Sequence, residues 1–414
     1  MKIARDRYIE KLEARRHNGS VKVITGVRRC GKSYLLSKLY RDHLLEDGVD
    51  PGQIVSVDFD RRSNRHLRDP DALLSYVTGR ISDGWCYVFL DEIQMVKDFT
   101  EVVNEINSYD NTDVYVTGSN SRFLSKDVLT EFRGRGDEIH VLPLSFSEYL
   151  SAVKGDKRDA FRDYCMYGGM PASVSKKGHE EKSAYLSNLF REVYIKDIME
   201  RNGITDEDLL SRIIDALLSS VGSLTNPRRT ADYLTGSGYR SVSDTTVSSY
   251  MGLIEDSFLV EKALRFDVKG KGYLSTPYKY YAADVGLRNA RLNYRQTELT
   301  HLTENIIYNE LRLRGFDVDV GVVPIRDPDS GYVQTEIDFI ATKGYSKYYI
   351  QSAYSLEGEG KRDQEIRPFR RLDDSFRRLI VTSDDVNMWV DDSGVITVNI
   401  IDFLLDWHIL EKLP

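Results

Sequence analysis

Eight residues constrain this chain more than any others. Gly26-Val27-Arg28-Arg29-Cys30-Gly31-Lys32-Ser33 match the pattern G-x-x-x-x-G-K-[ST] in full. The run follows a short β-type segment, Val21–Thr25, and opens a helical pattern over Lys32–Leu45 with Leu35, Leu36 and Leu39 on one face. In that setting the glycines let backbone N–H groups curl around phosphate oxygens, and the helix N-terminus adds a partial positive charge. The spacing therefore predicts a nucleoside-triphosphate site built from Gly26 to Ser33, with Tyr34 next to it. Lys32 is expected to reach the β- and γ-phosphates, and Ser33 to ligate Mg²⁺. Arg28 and Arg29 lie inside the loop and either face phosphate or fold back onto acidic side chains.

Downstream, apolar runs alternate with helical patterns. Ile54–Asp58, Cys86–Leu90, Val114–Thr117 and Ile139–Leu142 read as strands. Asp71–Ile81 and Phe99–Tyr109 read as the helices between them. Such alternation predicts an α/β fold with a parallel sheet and right-handed crossovers. The third strand is apolar throughout, which points to burial on both faces. It ends in Asp91 and Glu92, where ligands bind in open α/β sheets. Asp91 is expected to hold Mg²⁺ and Glu92 to orient and polarise the attacking water, the alternative being a helix-capping pair. After the fourth strand, Ser119 or Asn120 would sense the γ-phosphate or hold that water; an ordinary polar turn is the other reading. Arg133 and Arg135 precede the fifth strand. They either stabilise charge on the transferring phosphoryl group or sit solvated in a loop.

Composition narrows the class. A chain of 414 residues suggests two or three domains, at roughly 150 residues each. Its 41% hydrophobic and 29% charged residues fit a soluble globular protein. No apolar run is long enough to cross a bilayer, so no membrane partner is expected. Met1–Arg7 has no apolar stretch behind it, so no signal peptide is expected. The 3 cysteines are scattered without metal-ligand spacing, which suits a reducing, cytoplasmic setting. A net charge of −8 argues against indiscriminate coating of nucleic acid.

The motifs Thr25–Ser33, Phe89–Gln94, Thr117-Gly118-Ser119, Gly134-Arg135, Leu142–Glu148 and Tyr167–Pro171 resemble a prokaryotic family of AAA+-like ATPases close to the archaeal-type members of the STAND group. The resemblance extends through Tyr280–Leu287 and Glu336–Phe339. It implies ATP as the nucleotide and a P-loop sheet of order 5-1-4-3-2 over residues 1–150. A helical lid over 151–205, a winged helix over 206–295 and a restriction-endonuclease-like α/β domain over 296–414 would follow. In STAND relatives a Gly-x-Pro segment of the lid touches the nucleotide. Here that segment is Gly169-Met170-Pro171, with a helix-breaking turn as the alternative. Relatives also place residues near the base where Arg7-Tyr8 stand.

Thr230–Leu234, Ser243–Ile254 and Phe258–Lys262 fit two helices and a strand of the winged helix. Asp244, Thr245, Thr246, Ser248 and Ser249 on its second helix are short and polar, with no Arg or Lys for guanine or phosphate. Basic residues flank it, so DNA binding and a purely structural role both remain open. In the nuclease-like part, Glu304 falls on a helix and Asp338 on a strand. Gln351 and Ala353 stand where the fold's acid and lysine belong, which implies a degenerate core used for docking. The expected function is an ATP-driven switch acting on an unidentified protein or DNA partner. A DNA-processing ATPase with nuclease activity, or a nucleotide-bound scaffold with little turnover, is the alternative. Homo-oligomerisation is left open.

Overall fold

In the computed structural model, residues 2–118, 132, 136–327 and 331–413 are described. The chain divides into two units, Met1–Pro143 and Leu144–Pro414. Among the described residues no helix is long and apolar enough to cross a membrane. Cys30, Cys86 and Cys165 are free and buried.

The first unit is built on β1 (Val21–Thr25), β2 (Ile54–Asp58), β3 (Cys86–Asp91), β4 (Thr112–Thr117) and β5 (Gly136–His140). All four pairings are parallel, in the order β2-β3-β4-β1-β5. This is the expected 5-1-4-3-2 sheet. β3 is buried along its length up to Asp91, as its unbroken apolar run requires. Val23, Val57, Val88, Leu90 and Val116 form the core with Val103 and Ile106 of helix Phe99–Ile106.

Two details differ from the periodicity. β5 starts earlier than Ile139, because it pairs in register from Val21↔Gly136 to Thr25↔His140. Its polar start is tolerated at a sheet edge: Arg15 pairs with Asp137 at 2.8 Å and Thr25 donates to Glu138 at 2.7 Å. β1 carries Lys22 fully buried among its apolar neighbours. Its ammonium pairs with Asp113 of β4, which also accepts from the Tyr115 hydroxyl at 2.7 Å.

The second unit opens with helices Phe146–Val153 and Lys157–Tyr167. The first starts at a capping box: Glu148 N donates to Ser145 Oγ at 3.3 Å, and Ser145 N to Glu148 Oε2 at 2.9 Å. Helices Glu207–Ser219, Pro227–Gly236 and Asp244–Asp256 precede a hairpin of β6 (Val260–Asp267) and β7 (Gly272–Ala282). Then come β8 (Asp317–Asp327), β9 (Gly331–Lys343), β10 (Ser346–Ala353), β11 (Arg377–Thr382), β12 (Trp389–Val390) and β13 (Val395–Asn399). They form one mixed sheet with the hairpin, ordered β12-β13-β11-β10-β9-β8-β6-β7. Its β6–β8 pairing, from Arg265↔Val320 to Asp267↔Val322, crosses the division expected at residues 295 and 296.

Within this unit Asp284 ties two distant motifs together. It caps helix Val285–Arg291 through Leu287 N at 2.8 Å and accepts from Gly169 N at 2.6 Å. The Gly168-Gly169 turn has no room for side chains: a Cβ at Gly169 would lie 2.1 Å from the Leu144 carbonyl oxygen. Burial pushes the Asp284 carboxyl up to about 6, although backbone N–H donors pull the other way. A raised folded value favours the protonated form. The associated stability is full below the ordinary value of 3.8 and is lost as pH rises through about 6. Asp284→Asn, which resembles the protonated acid, is therefore expected to cost most at low pH and progressively less as pH rises across that window. Urea unfolding of both chains at several pH values checks this; a gap that does not change with pH contradicts it.

Candidate functional site

The loop between β1 and helix residue Lys32 turns sharply. Gly26 and Gly31 have φ of 133° and 108°, and Arg29 has φ of 63°. Glycine is obligatory at position 26 for a second reason: a Cβ there would lie 2.1 Å from the Val141 carbonyl oxygen. The loop is braced from behind. Cys30 Sγ donates to Val141 O at 3.2 Å. Arg5 donates to Cys30 O at 3.2 Å, Leu142 O at 2.9 Å and Pro143 O at 3.3 Å. Tyr8, fully buried, accepts from Leu142 N at 2.9 Å. Val27 and Cys30 side chains are buried, which leaves their backbone to meet a ligand. Arg28 is half-buried and Arg29 exposed.

Lys32 lies 5% exposed and donates to Gly26 O at 2.8 Å and Val27 O at 3.2 Å. Charged phosphate oxygens are stronger acceptors for an ammonium than neutral carbonyls, so these partners are exchangeable. Ser33 Oγ donates to Asp91 Oδ1 at 3.0 Å, bringing together the two residues assigned to Mg²⁺. Thr117 donates to the same Asp91 oxygen. Burial raises the Asp91 carboxyl above the usual carboxylate range, the two hydroxyl donors lower it, and Glu92 and Asp58 raise it further. A serine hydroxyl and a carboxylate are hard oxygen donors and fit Mg²⁺.

Glu92 sits at φ 56° and ψ 46°, a backbone conformation uncommon for a non-glycine residue. Its N–H donates to Thr117 Oγ1 at 3.1 Å, and Gln94 donates to its carboxylate. Thr117 thus holds the Asp91 carboxylate and the Glu92 backbone from the neighbouring strand, and Gln94 holds the Glu92 carboxylate. Neither role was assigned from the sequence, although both residues lie in motifs already singled out. Beside this group opens a cleft of about 810 Å³, lined by Ser33, Tyr34, Asp58, Arg41, Arg61 and Asp91 among others.

Ser119, Asn120, Arg133 and Arg135 lie outside the described residues. Pro171 belongs to the second unit, where it opens the short helix Pro171–Val174. Also in that unit, Glu304 on helix Leu299–Leu313, Asp338 on β9 and Gln351 on β10 converge. Gln351 accepts from Asp338 N at 2.7 Å and donates to Glu365 at 3.0 Å, so its amide links the Asp338 backbone to the Glu365 carboxylate.

The AAA domain family matches residues 18–150, and a domain of unknown function matches residues 158–298. A Walker-type ATPase of Pyrococcus abyssi aligns with a TM-score of 0.51 at 14% identity, covering 70% of this chain and 96% of that one, a likeness of fold alone. An uncharacterized protein of Methanocaldococcus jannaschii is 25% identical over 386 residues, 88% of this chain and 82% of its own. An uncharacterized protein of Haemophilus influenzae is 32% identical over 410 residues, 97% of this chain and 98% of its own. The chain therefore belongs to the family of the Haemophilus influenzae protein, and its first unit carries an AAA domain with the fold of a P-loop ATPase.

Proposed function

We propose that this protein is a Mg²⁺-dependent ATPase that works as a molecular switch, its nucleotide state altering what the Leu144–Pro414 unit presents to a partner. The observation that carries this reading is the 3.0 Å contact between Ser33 and Asp91, with Lys32 and Glu92 beside them. The backbone of Gly26–Gly31 cradles the phosphates, and Lys32 exchanges its loop carbonyls for β- and γ-phosphate oxygens. Ser33 and Asp91 would hold Mg²⁺, which neutralises phosphate charge when bound. Glu92 orients the attacking water and accepts its proton, while Thr117 holds the Asp91 carboxylate and the Glu92 backbone. Ser119 or Asn120, Arg133 or Arg135, and Tyr34 complete the proposed nucleotide contacts. The three free cysteines support a reducing, cytoplasmic setting.

Protein is the favoured partner. Several cations that flank the proposed winged helix are engaged within their own unit: Arg240 with Asp206, Lys262 with Glu255 at 3.1 Å, and the buried Arg265 with Gln334 at 3.3 Å. Cations satisfied by protein acceptors are less available to phosphate. ATP hydrolysis by the wild type, Lys32→Ala and Glu92→Gln, each with and without DNA, tests the proposal. Equal rates in all three overturn the assigned site. Stimulation of the wild type by DNA would transfer the switch to a DNA-linked role.

A further inference from the structure

Lys279 of β7 is 4% exposed at its side chain and lies inside a cage of acids. Its ammonium reaches Glu304 Oε1 at 3.0 Å, Glu336 Oε1 at 2.5 Å and Asp338 Oδ1 at 3.4 Å. An ammonium has three N–H donors, and here three carboxylates receive them. The remaining contacts hold the acids in place. The Tyr281 hydroxyl donates to Glu304 Oε1 at 2.7 Å, and Ser352 N donates to Asp338 Oδ2 at 2.9 Å. Gln351 ties the Asp338 backbone to Glu365.

Charge in the cage is unbalanced. Three carboxylates face one ammonium. Carboxylates drawn together and partly out of water need a cation, which a paired side chain or a metal ion can supply. Here the ammonium touches all three acids at once, so a metal ion and Lys279 cannot share the space. Among the described residues, no group of three or more His, Cys, Asp or Glu side chains is arranged to hold a metal ion.

We propose that Lys279 is the resident cation of the second unit, its ammonium taking the place among Glu304, Glu336 and Asp338 that a hard divalent cation would otherwise need, so that these acids as they stand do not fit a metal ion. The proposal is independent of the ATPase reading, since every residue lies in Leu144–Pro414. It has a consequence for chemistry at this place. Without a divalent ion, excess carboxylate charge repels a phosphodiester, and no metal-activated water is available to cut one. The cage then serves as an ionic lock joining β7, helix Leu299–Leu313 and β9.

The test uses full-length protein without nucleotide and Mn²⁺ as the probe, titrated by calorimetry. Lys279→Ala is expected to bind one more Mn²⁺ than the wild type, and Lys279→Ala/Asp338→Asn to lose that ion. Millimolar Mn²⁺ should raise the melting temperature of Lys279→Ala and leave that of the wild type unchanged. Wild-type binding of Mn²⁺ that disappears in Asp338→Asn alone would overturn the proposal, because the lysine would then not exclude metal. Failure of Lys279→Ala to gain an ion, or to fold even in Mn²⁺, would overturn it equally.

Discussion

Glu92→Gln is expected to keep ATP bound while slowing its turnover by at least about a hundredfold, the lower end of what a positioned general base supplies. The substitution preserves shape. An amide oxygen still accepts from Gln94, and the backbone bond from Glu92 N to Thr117 at 3.1 Å is untouched. What disappears is the negative charge that, in the proposed reaction, would draw a proton from water. Lys32→Ala should act differently, because in the proposed site its ammonium would face phosphate in both the bound nucleotide and the transition state. Weaker binding and slower turnover are expected together. Phosphate release and titration with a fluorescent ATP analogue separate the two patterns. Wild-type turnover in Glu92→Gln would reduce that residue to a structural element of the turn after β3, and undiminished affinity in Lys32→Ala would remove the lysine from the phosphate site.

The part of this site that is close in sequence was readable in advance. Gly26 to Ser33 is one continuous signal, and Asp91-Glu92 gains meaning from the apolar strand before it. Periodicity also gave the sheet's strands, since β1 and β3 are buried on both faces and helix Phe99–Ile106 shows a clear apolar stripe. Contacts made across the sequence were not readable. Arg5 braces Leu142 from 137 residues away, and Asp284 holds Gly169 from 115 residues away. No local pattern encodes such pairings, because each end alone looks like an ordinary polar residue. β5 was placed late for a related reason: Asp137 and Glu138 break the apolar run, and only their partners Arg15 and Thr25 make them acceptable at an edge. In the second unit, the absence of an acid at Gln351 was visible, but the bridge it makes to Asp338 and Glu365 was not. Lys279, 25 residues before Glu304 and 59 before Asp338, gave no local sign of its role.

Asp113→Ala is expected to destabilise the first unit by about 3–5 kcal/mol, the cost typical of breaking a buried ion pair from one side. Lys22 and Asp113 are exposed by only 0% and 1% at their side chains. Removing the acid leaves an ammonium in the core between β1 and β4. It also deprives the Tyr115 hydroxyl of its 2.7 Å acceptor, and Tyr115 in turn contacts the Tyr40 hydroxyl at 2.9 Å. His17 N loses its 3.2 Å acceptor as well. The damage should depend on pH. Burial already holds the Lys22 ammonium below its ordinary 10.5, with Asp113 opposing that fall. Without Asp113 the folded value drops further, while the unfolded value stays near 10.5. Between the two, the unfolded chain binds more protons, so stability must rise with pH. Asp113→Ala should therefore recover part of its loss as the medium becomes alkaline, whereas Lys22→Met, which removes the charge and keeps an apolar stem, should not show that recovery. Urea unfolding of the three chains at neutral and alkaline pH measures both effects. A loss below about 1 kcal/mol in Asp113→Ala would mean that water reaches the abandoned ammonium and that the pair does not hold β1 against β4. A full loss that does not change with pH would point instead to the tyrosine network as the group that matters.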